Sequence, residues 1–250
     1  MDLGIDGRTA LVMGASQGIG RGVAHALARE GARVAFASRS REALQEAAAE
    51  AEGPTAVFEA DTDDLDRIAR LPSEVEDELG AIEILVTNTG GPPPGGALDH
   101  SLDEWEAAYR SLVLAPRVLA EAVLPGMRER GWGRIVNVGS SSTIEPIPHL
   151  ALSNVHRMAT VGFFKTLASE VGGDGITVNT IATGRFATER LADASGSLEP
   201  AHEAARRDVP AGRLGHPDEY GDLVAFVASE RAAYLTGAVI PFDGGALRSA

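Results

Sequence analysis

Cysteine is absent from the 250-residue chain, which excludes disulfides, zinc–thiolate sites and a thiol nucleophile together. Lysine is nearly absent: Lys165 is the only one, and arginine supplies the rest of the 22 basic residues. Aromatic residues make up 5% of the sequence, and tyrosine occurs only as Tyr109, Tyr220 and Tyr234. Positive charge is short overall, since 36 acidic residues leave a net charge of −14. A balance of that sign argues against nucleic acid or an anionic membrane as the partner. No apolar run approaches the roughly 18 residues of a membrane-spanning helix. The opening Met1-Asp2-Leu3-Gly4-Ile5-Asp6-Gly7 carries two acids and no basic stretch, so a cytoplasmic protein without a secretory leader is expected. His25, His100, His149, His156, His202 and His216 form no close pair and no His-Glu-x-x-His, so no metal is expected.

What is present is an alternation. Short apolar runs occur at Thr9–Met13, Arg33–Ala37, Ala56–Ala60, Ile84–Thr87, Arg134–Val138, Thr177–Ile181 and Ala238–Pro241. Longer stretches rich in Ala, Leu, Glu and Arg lie between them, at Gly18–Glu30, Arg41–Ala51, Leu102–Arg130, Leu152–Val171 and Pro217–Ala228. Val23 and Leu27, and again Val161, Phe164, Leu167 and Ala168, recur at helical spacing. Strands alternating with helices imply crossover connections and a mostly parallel sheet. Nearly continuous apolar strands are those covered by helices on both faces. No repeat, linker or shift in composition divides residues 1–250, so one doubly wound α/β domain with a seven-stranded sheet is expected. Two stretches break the rhythm, the stiff Gly90-Gly91-Pro92-Pro93-Pro94-Gly95-Gly96 and Thr183–Ala205, which holds Ser195-Gly196-Ser197. Both follow strands, where such sheets bind ligands.

The first strand runs into Gly14-Ala15-Ser16-Gln17-Gly18-Ile19-Gly20, and a helical pattern starts at once. Glycines there permit a tight turn and close approach of phosphate to the free N–H groups of a helix start. A dinucleotide site is the reading. At the end of the second strand, a carboxylate would favour NAD by accepting from its 2′-hydroxyl. This chain has Ser38-Arg39-Ser40 instead, and a guanidinium with two hydroxyls suits the 2′-phosphate of NADP. Ser40 is also a candidate helix N-cap.

The spacing of Gly14, Gly18 and Gly20 resembles the short-chain dehydrogenase/reductase family, a Rossmann-type group, in its short branch that includes bacterial 3-oxoacyl-acyl-carrier-protein reductases. Leu85-Val86-Thr87-Asn88-Thr89-Gly90 is similar to the family's fourth-strand motif, and Gly133-Arg134-Ile135-Val136-Asn137-Val138-Gly139-Ser140 to its fifth strand. Thr177-Val178-Asn179-Thr180 with Thr183, Gly184 and Thr188 resembles the sixth strand and its loop, with Thr183 in place of proline. Pro217-Asp218-Glu219 and Phe242-Asp243-Gly244-Gly245 match C-terminal signatures. The resemblance implies cofactor contacts from Gly14, Ser16, Gln17, Gly18, Ile19, Gly20, Ser38, Arg39, Ser40, Asp61, Thr62, Asn88, Thr89, Gly90, Arg157, Gly184 and Thr188. It also implies a homotetramer or homodimer; Phe163, Phe164, Tyr234 and Phe242 fall where the contact surfaces would lie, and core packing accounts for them equally well.

The family's catalytic pattern is incomplete here. Ser140 fills the serine position, but Ser153 stands where the family has tyrosine, Arg157 where it has lysine, and Leu112 where it has asparagine. Val113, Val224 and Ala238 follow the three tyrosines at the lysine spacing, so no Tyr-x-x-x-Lys pair exists in any register. Arg157 still offers charge to a ribose, and Ser140 and Ser153 offer hydrogen bonds to a substrate oxygen. His149 is a nearby candidate for a proton donor, a substrate contact or a plain loop histidine, while His156 reads as structural. Neither serine lies in a Gly-x-Ser-x-Gly elbow, so a Ser–His–acid hydrolase is not supported. The expected function is an atypical NADPH-dependent reductase of a carbonyl or conjugated carbonyl on a small to medium substrate. The alternative is a non-redox protein on the same scaffold: a cyclase, a dehydratase or a partner subunit holding the dinucleotide structurally.

Overall fold

The computed structural model describes residues 1–249, with Ala194 and Ser195 described by backbone alone. Seven strands, β1 (Thr9–Met13), β2 (Arg33–Ser38), β3 (Thr55–Glu59), β4 (Ile82–Thr87), β5 (Gly133–Val138), β6 (Ile176–Thr183) and β7 (Val239–Phe242), form one sheet in the order β3-β2-β1-β4-β5-β6-β7. Every pairing is parallel. Strand side chains alternate between two cores, as the period of two requires. Ala10 and Val12 of β1 and Val34 and Phe36 of β2 join the core beneath α1 (Gly18–Arg29), α2 (Arg41–Ala49) and α9 (Pro217–Val227). Leu11, Met13, Ala35 and Ala37 join the other core, beneath α3 (Leu65–Leu79), α5 (Ala115–Arg130) and α6 (Ala151–Val171). Strand order reverses beside β1, and the crevice at the C-terminal ends of β1 and β4 is where such sheets hold ligands.

Helices α1 and α9 touch backbone to backbone. A Cβ on Gly221 would strike the Gly22 carbonyl, and one on Gly22 would strike the Pro217 carbonyl. Only glycine permits that approach.

The structure departs from the sequence reading in several places. The helix expected over Leu102–Arg130 is α4 (Leu102–Tyr109), a π-helical turn (Arg110–Leu114) and α5. The wide turn frees the Leu112 carbonyl, which accepts from Thr160 Oγ1 of α6 at 2.7 Å. Helix α3 was not expected, because Pro72 and a run of charges mask its periodicity; Asp64 caps it by accepting from the Arg67 N–H. Thr183–Ala205 holds two helices, α7 (Glu189–Ser195) and part of α8 (Leu198–Asp208), rather than a plain connector. Of the four rings expected at contact surfaces, only Tyr234 is fully exposed. Phe164 is buried in the core, Phe242 stacks against Phe186 and Tyr220, and Phe163 packs on Phe164. Lys165 turns away from the crevice and donates to the Gly237 carbonyl. Among the described residues, no helix is long and apolar enough to cross a membrane.

Candidate functional site

The turn between β1 and α1 is a backbone cradle. Gly14 and Gly18 have φ of +64° and +54°, in the left-handed region that glycine enters without strain. A Cβ on Gly20 would collide with the Gly14 carbonyl. Ser16 lies within the turn, Ile19 packs on the core below, and Gln17 is the extended residue before α1. No side chain caps α1, although Ser40, Asp64 and Ser101 cap α2, α3 and α4. The first N–H groups of α1 therefore keep their donors and their share of the helix dipole for an anion. Asn88, just past β4, closes the turn from the side, with Nδ2 2.7 Å from where a Gly14 Cβ would stand. Thr89 and Gly90 continue that wall. From above, Thr188 and Glu189 rest on Gly18, 3.2 and 3.3 Å from its notional Cβ. Thr188 also caps α7 by accepting from the Leu191 N–H. Gly184 sits where a Cβ would meet Asp243 Cα at 2.5 Å.

Beyond the turn, Ser38 ends β2 with its hydroxyl buried and without a hydrogen-bond partner. Such an orphan costs stability unless a ligand satisfies it. Arg39 is exposed beside it, and Ser40 Oγ accepts from the Ala43 N–H at 3.3 Å, as an N-cap does. A cavity of about 510 Å³ opens here, lined by Arg39, Arg41, Ala60 and Asp61 among others. Asp61 accepts from the Asp63 N–H at 3.1 Å, and half-buried Thr62 follows it. A glycine cradle, an uncapped helix, an orphaned hydroxyl and a free arginine form a donor set that fits a phosphorylated dinucleotide.

Ser140 follows β5. Its hydroxyl accepts from the Ser142 N–H at 3.1 Å and retains its own proton to donate. Helix α6 packs on the turn after Ser140, bringing buried Ser153 and, one turn on, Arg157 to the same end of the sheet. Arg157 bridges two strand ends, donating from Nη1 to the Val138 carbonyl at 3.0 Å and from Nη2 to the Gly90 carbonyl at 3.4 Å. Burial lowers its pKa to about 10, the charge of Arg190 adds to the shift, and the guanidinium stays charged at neutral pH.

His149 lies on the exposed loop before α6 with φ of +58°, the one positive φ outside glycine among the described residues. Its carbonyl accepts from the Gly95 N–H at 2.8 Å, while the Gly95 carbonyl accepts from the Ala151 N–H at 3.1 Å. Those bonds pin the proline-rich loop beside Ser153. His156 is buried against Trp105 and Tyr109 and bonds the Leu152 carbonyl, a packing role.

Two residues of this region went unread in the sequence. Tyr220 of α9 lies near Arg157 but is fully buried, with its hydroxyl 2.8 Å from Thr183 Oγ1. Burial pushes its pKa up, so it is no substitute for an exposed catalytic tyrosine. Arg190 donates to the Gly91 carbonyl at 3.1 Å and fills the space a Gly91 side chain would need. Its only sequence signal is its place two residues after Thr188. Among the described residues, no group of three histidine, aspartate or glutamate side chains could hold a metal.

Comparison with known proteins places the whole chain. A family profile described as Enoyl-(Acyl carrier protein) reductase matches residues 14–246. The 3-oxoacyl-[acyl-carrier-protein] reductase FabG of Vibrio harveyi is 35% identical, over 97% of this chain and 98% of its own. D-threitol dehydrogenase of Mycolicibacterium smegmatis is 34% identical, over 98% and 94%. The structure of L-sorbose reductase from Gluconobacter frateurii, complexed with NADPH and L-sorbose, superposes with a TM-score of 0.93, 30% identity and full coverage of both chains. Agreement that runs from the glycine cradle to the last strand leaves one assignment: the chain belongs to the short-chain dehydrogenase/reductase family of oxidoreductases, in the branch that resembles 3-oxoacyl-acyl-carrier-protein reductases.

Proposed function

We propose that this protein is a cytoplasmic NADPH-dependent reductase of a carbonyl or conjugated carbonyl group, working with an active site in which Ser153 and Arg157 replace the family's tyrosine and lysine. The observation that carries the reading is the placement of Arg157 across the ends of β4 and β5, beside Ser140 and Ser153. When bound, the nicotinamide supplies hydride. Arg157 would bind the ribose hydroxyls and keep positive charge under the nicotinamide. Ser140 and Ser153 donate hydrogen bonds to the carbonyl oxygen and hold the alkoxide that develops there. Neither hydroxyl is acidic near neutrality, so the final proton comes from water or from a group of the substrate. Gly14, Ser16, Gln17, Gly18, Ile19 and Gly20 receive the diphosphate, Ser38, Arg39 and Ser40 the 2′-phosphate, and Asp61, Thr62, Asn88, Thr89 and Gly90 the adenosine side. Gly184 and Thr188 cover the nicotinamide half. L-sorbose reductase, similar throughout its length, is described in complex with NADPH, which supports the choice of cofactor.

The test supplies NADPH with a panel of ketones, quinones and enones and follows absorbance loss and deuteride incorporation. Arg157→Ala should weaken both cofactor binding and turnover. Ser140→Ala and Ser153→Ala should each lower turnover about a hundredfold to a thousandfold with little change in cofactor affinity. A protein that binds NADPH and passes hydride to no carbonyl is the non-redox alternative, which the missing Tyr-x-x-x-Lys pair favours.

A further inference from the structure

The cleft holds two guanidinium groups, and among the described residues no carboxylate pairs with either. Arg8, Arg21, Arg29, Arg67 and Arg213 each meet an acid within salt-bridge distance. Arg157 and Arg190 instead reach the carbonyls of Gly90 and Gly91, neighbours along one segment. The two anchoring carbonyls belong to adjacent residues, and Arg190 lies close enough to Arg157 to act on its charge. Glu189, next to Arg190 in the chain, turns its carboxylate over Gly18 rather than onto either arginine.

Arg190 is exposed at the rim, while Arg157, half-buried, is disfavoured both by burial and by the charge of Arg190. An anion between them would offset that repulsion. Each guanidinium carries five N–H donors, and one carbonyl for Arg190 and two for Arg157 leave donors over. The candidate diphosphate cradle is at the start of α1, whereas this pair is anchored on Gly90 and Gly91 past β4, with Arg157 one helical turn from Ser153.

We infer that Arg190, with Arg157 behind it, receives a carboxylate of the substrate, so that the protein reduces oxo acids in preference to neutral carbonyl compounds. The planar fork of a guanidinium matches a carboxylate with two parallel hydrogen bonds. This inference rests on the reductase reading for its chemistry but not for its binding step. Gly91 is part of the device, because any side chain there would displace Arg190.

The test compares 2-oxo and 3-oxo acids with their methyl esters, in NADPH-driven reduction and in calorimetric binding to the NADP⁺-loaded protein. Wild type should prefer each acid over its ester by roughly tenfold to a hundredfold in kcat/KM, the usual worth of a hydrogen bond to a charged group. Arg190→Gln should abolish the preference, mainly through KM, and Arg190→Lys should keep part of it. Equal use of acids and esters by wild type overturns the inference. So does an unchanged preference in Arg190→Gln accompanied by weakened NADPH binding, which would assign Arg190 to the cofactor. If nothing is reduced, the reductase reading fails while calorimetry still decides: tighter binding of acids than esters supports the carboxylate site, and equal or no binding overturns it.

Discussion

Arg39 is exposed at the end of β2, beside a Ser38 hydroxyl that is buried and unpaired. A 2′-phosphate would satisfy both groups at once, and a bare ribose hydroxyl would satisfy neither as well. NADPH is therefore expected to bind at least about tenfold tighter than NADH, equivalent to roughly 1.4 kcal/mol, and Arg39→Asp should reverse the order. Equal affinities by calorimetry in both proteins would count against the assignment. Arg39 could be singled out from sequence because its meaning is local, a cation where a carboxylate would favour NAD. The glycine cradle was legible for the same reason. Arg190 was not: nothing within a few residues says that its side chain crosses to Gly91. Tyr220 likewise acquires its neighbours, Thr183 and Arg157, only when α9 docks beneath β6.

At the next scale, α9 shows how an element end is held. His216 and Glu219 form a capping box, Pro217 occupies the first turn, and Glu219 takes two hydrogen bonds from Arg213, at 2.6 and 2.7 Å. Arg213 and the His216 N–H together lower the Glu219 pKa from 4.5 to about 2. Because the folded value is the lower one, the stabilisation is complete above pH 4.5 and is lost as pH falls towards about 2. Glu219 is 42% exposed, so solvent screening limits the effect to about 1 kcal/mol. Glu219→Gln should cost about that much in urea unfolding at pH 7 and clearly less at pH 2; an equal loss at both would refute the electrostatic account. Elements with a plain period were legible in the sequence, above all the buried strands. Helix α3 was hidden by Pro72, and the π turn at Arg110–Leu114 depends on a hydroxyl from α6, which no window along α4 contains.

For the whole molecule, the expectation of a homotetramer or homodimer now rests on different residues. Phe164 and Phe242 are spent on the core, whereas Val155 and Met158 of α6 stand about half exposed, with Tyr109 near them. An apolar strip of that kind on a chain of net charge −14 is expected to be covered by a second copy, and two-fold closure is the commonest outcome. Light scattering should show a dimer or tetramer at micromolar concentration, and Met158→Glu should shift it towards 26.0 kDa. A wild type that is already monomeric would remove the proposal.

The contact of Gly22 with Gly221 carries a further consequence. Helix α1 begins at the cradle proposed for the diphosphate, and α9 lies against it with no side chain between to absorb movement. Whatever ties the nucleotide to one helix must, by reciprocity, be felt in the other. A ligand that binds only the folded arrangement adds about 2.7 kcal/mol at a hundred times its Kd. Amide hydrogen exchange over residues 223–227 should therefore slow when NADPH is added, and Gly221→Ala, whose overpacking costs about 1–3 kcal/mol of stability, should weaken NADPH binding. If exchange there ignores the nucleotide, the two helices are independent; if it follows, the last helix of the chain works as a gauge of occupancy at the first turn.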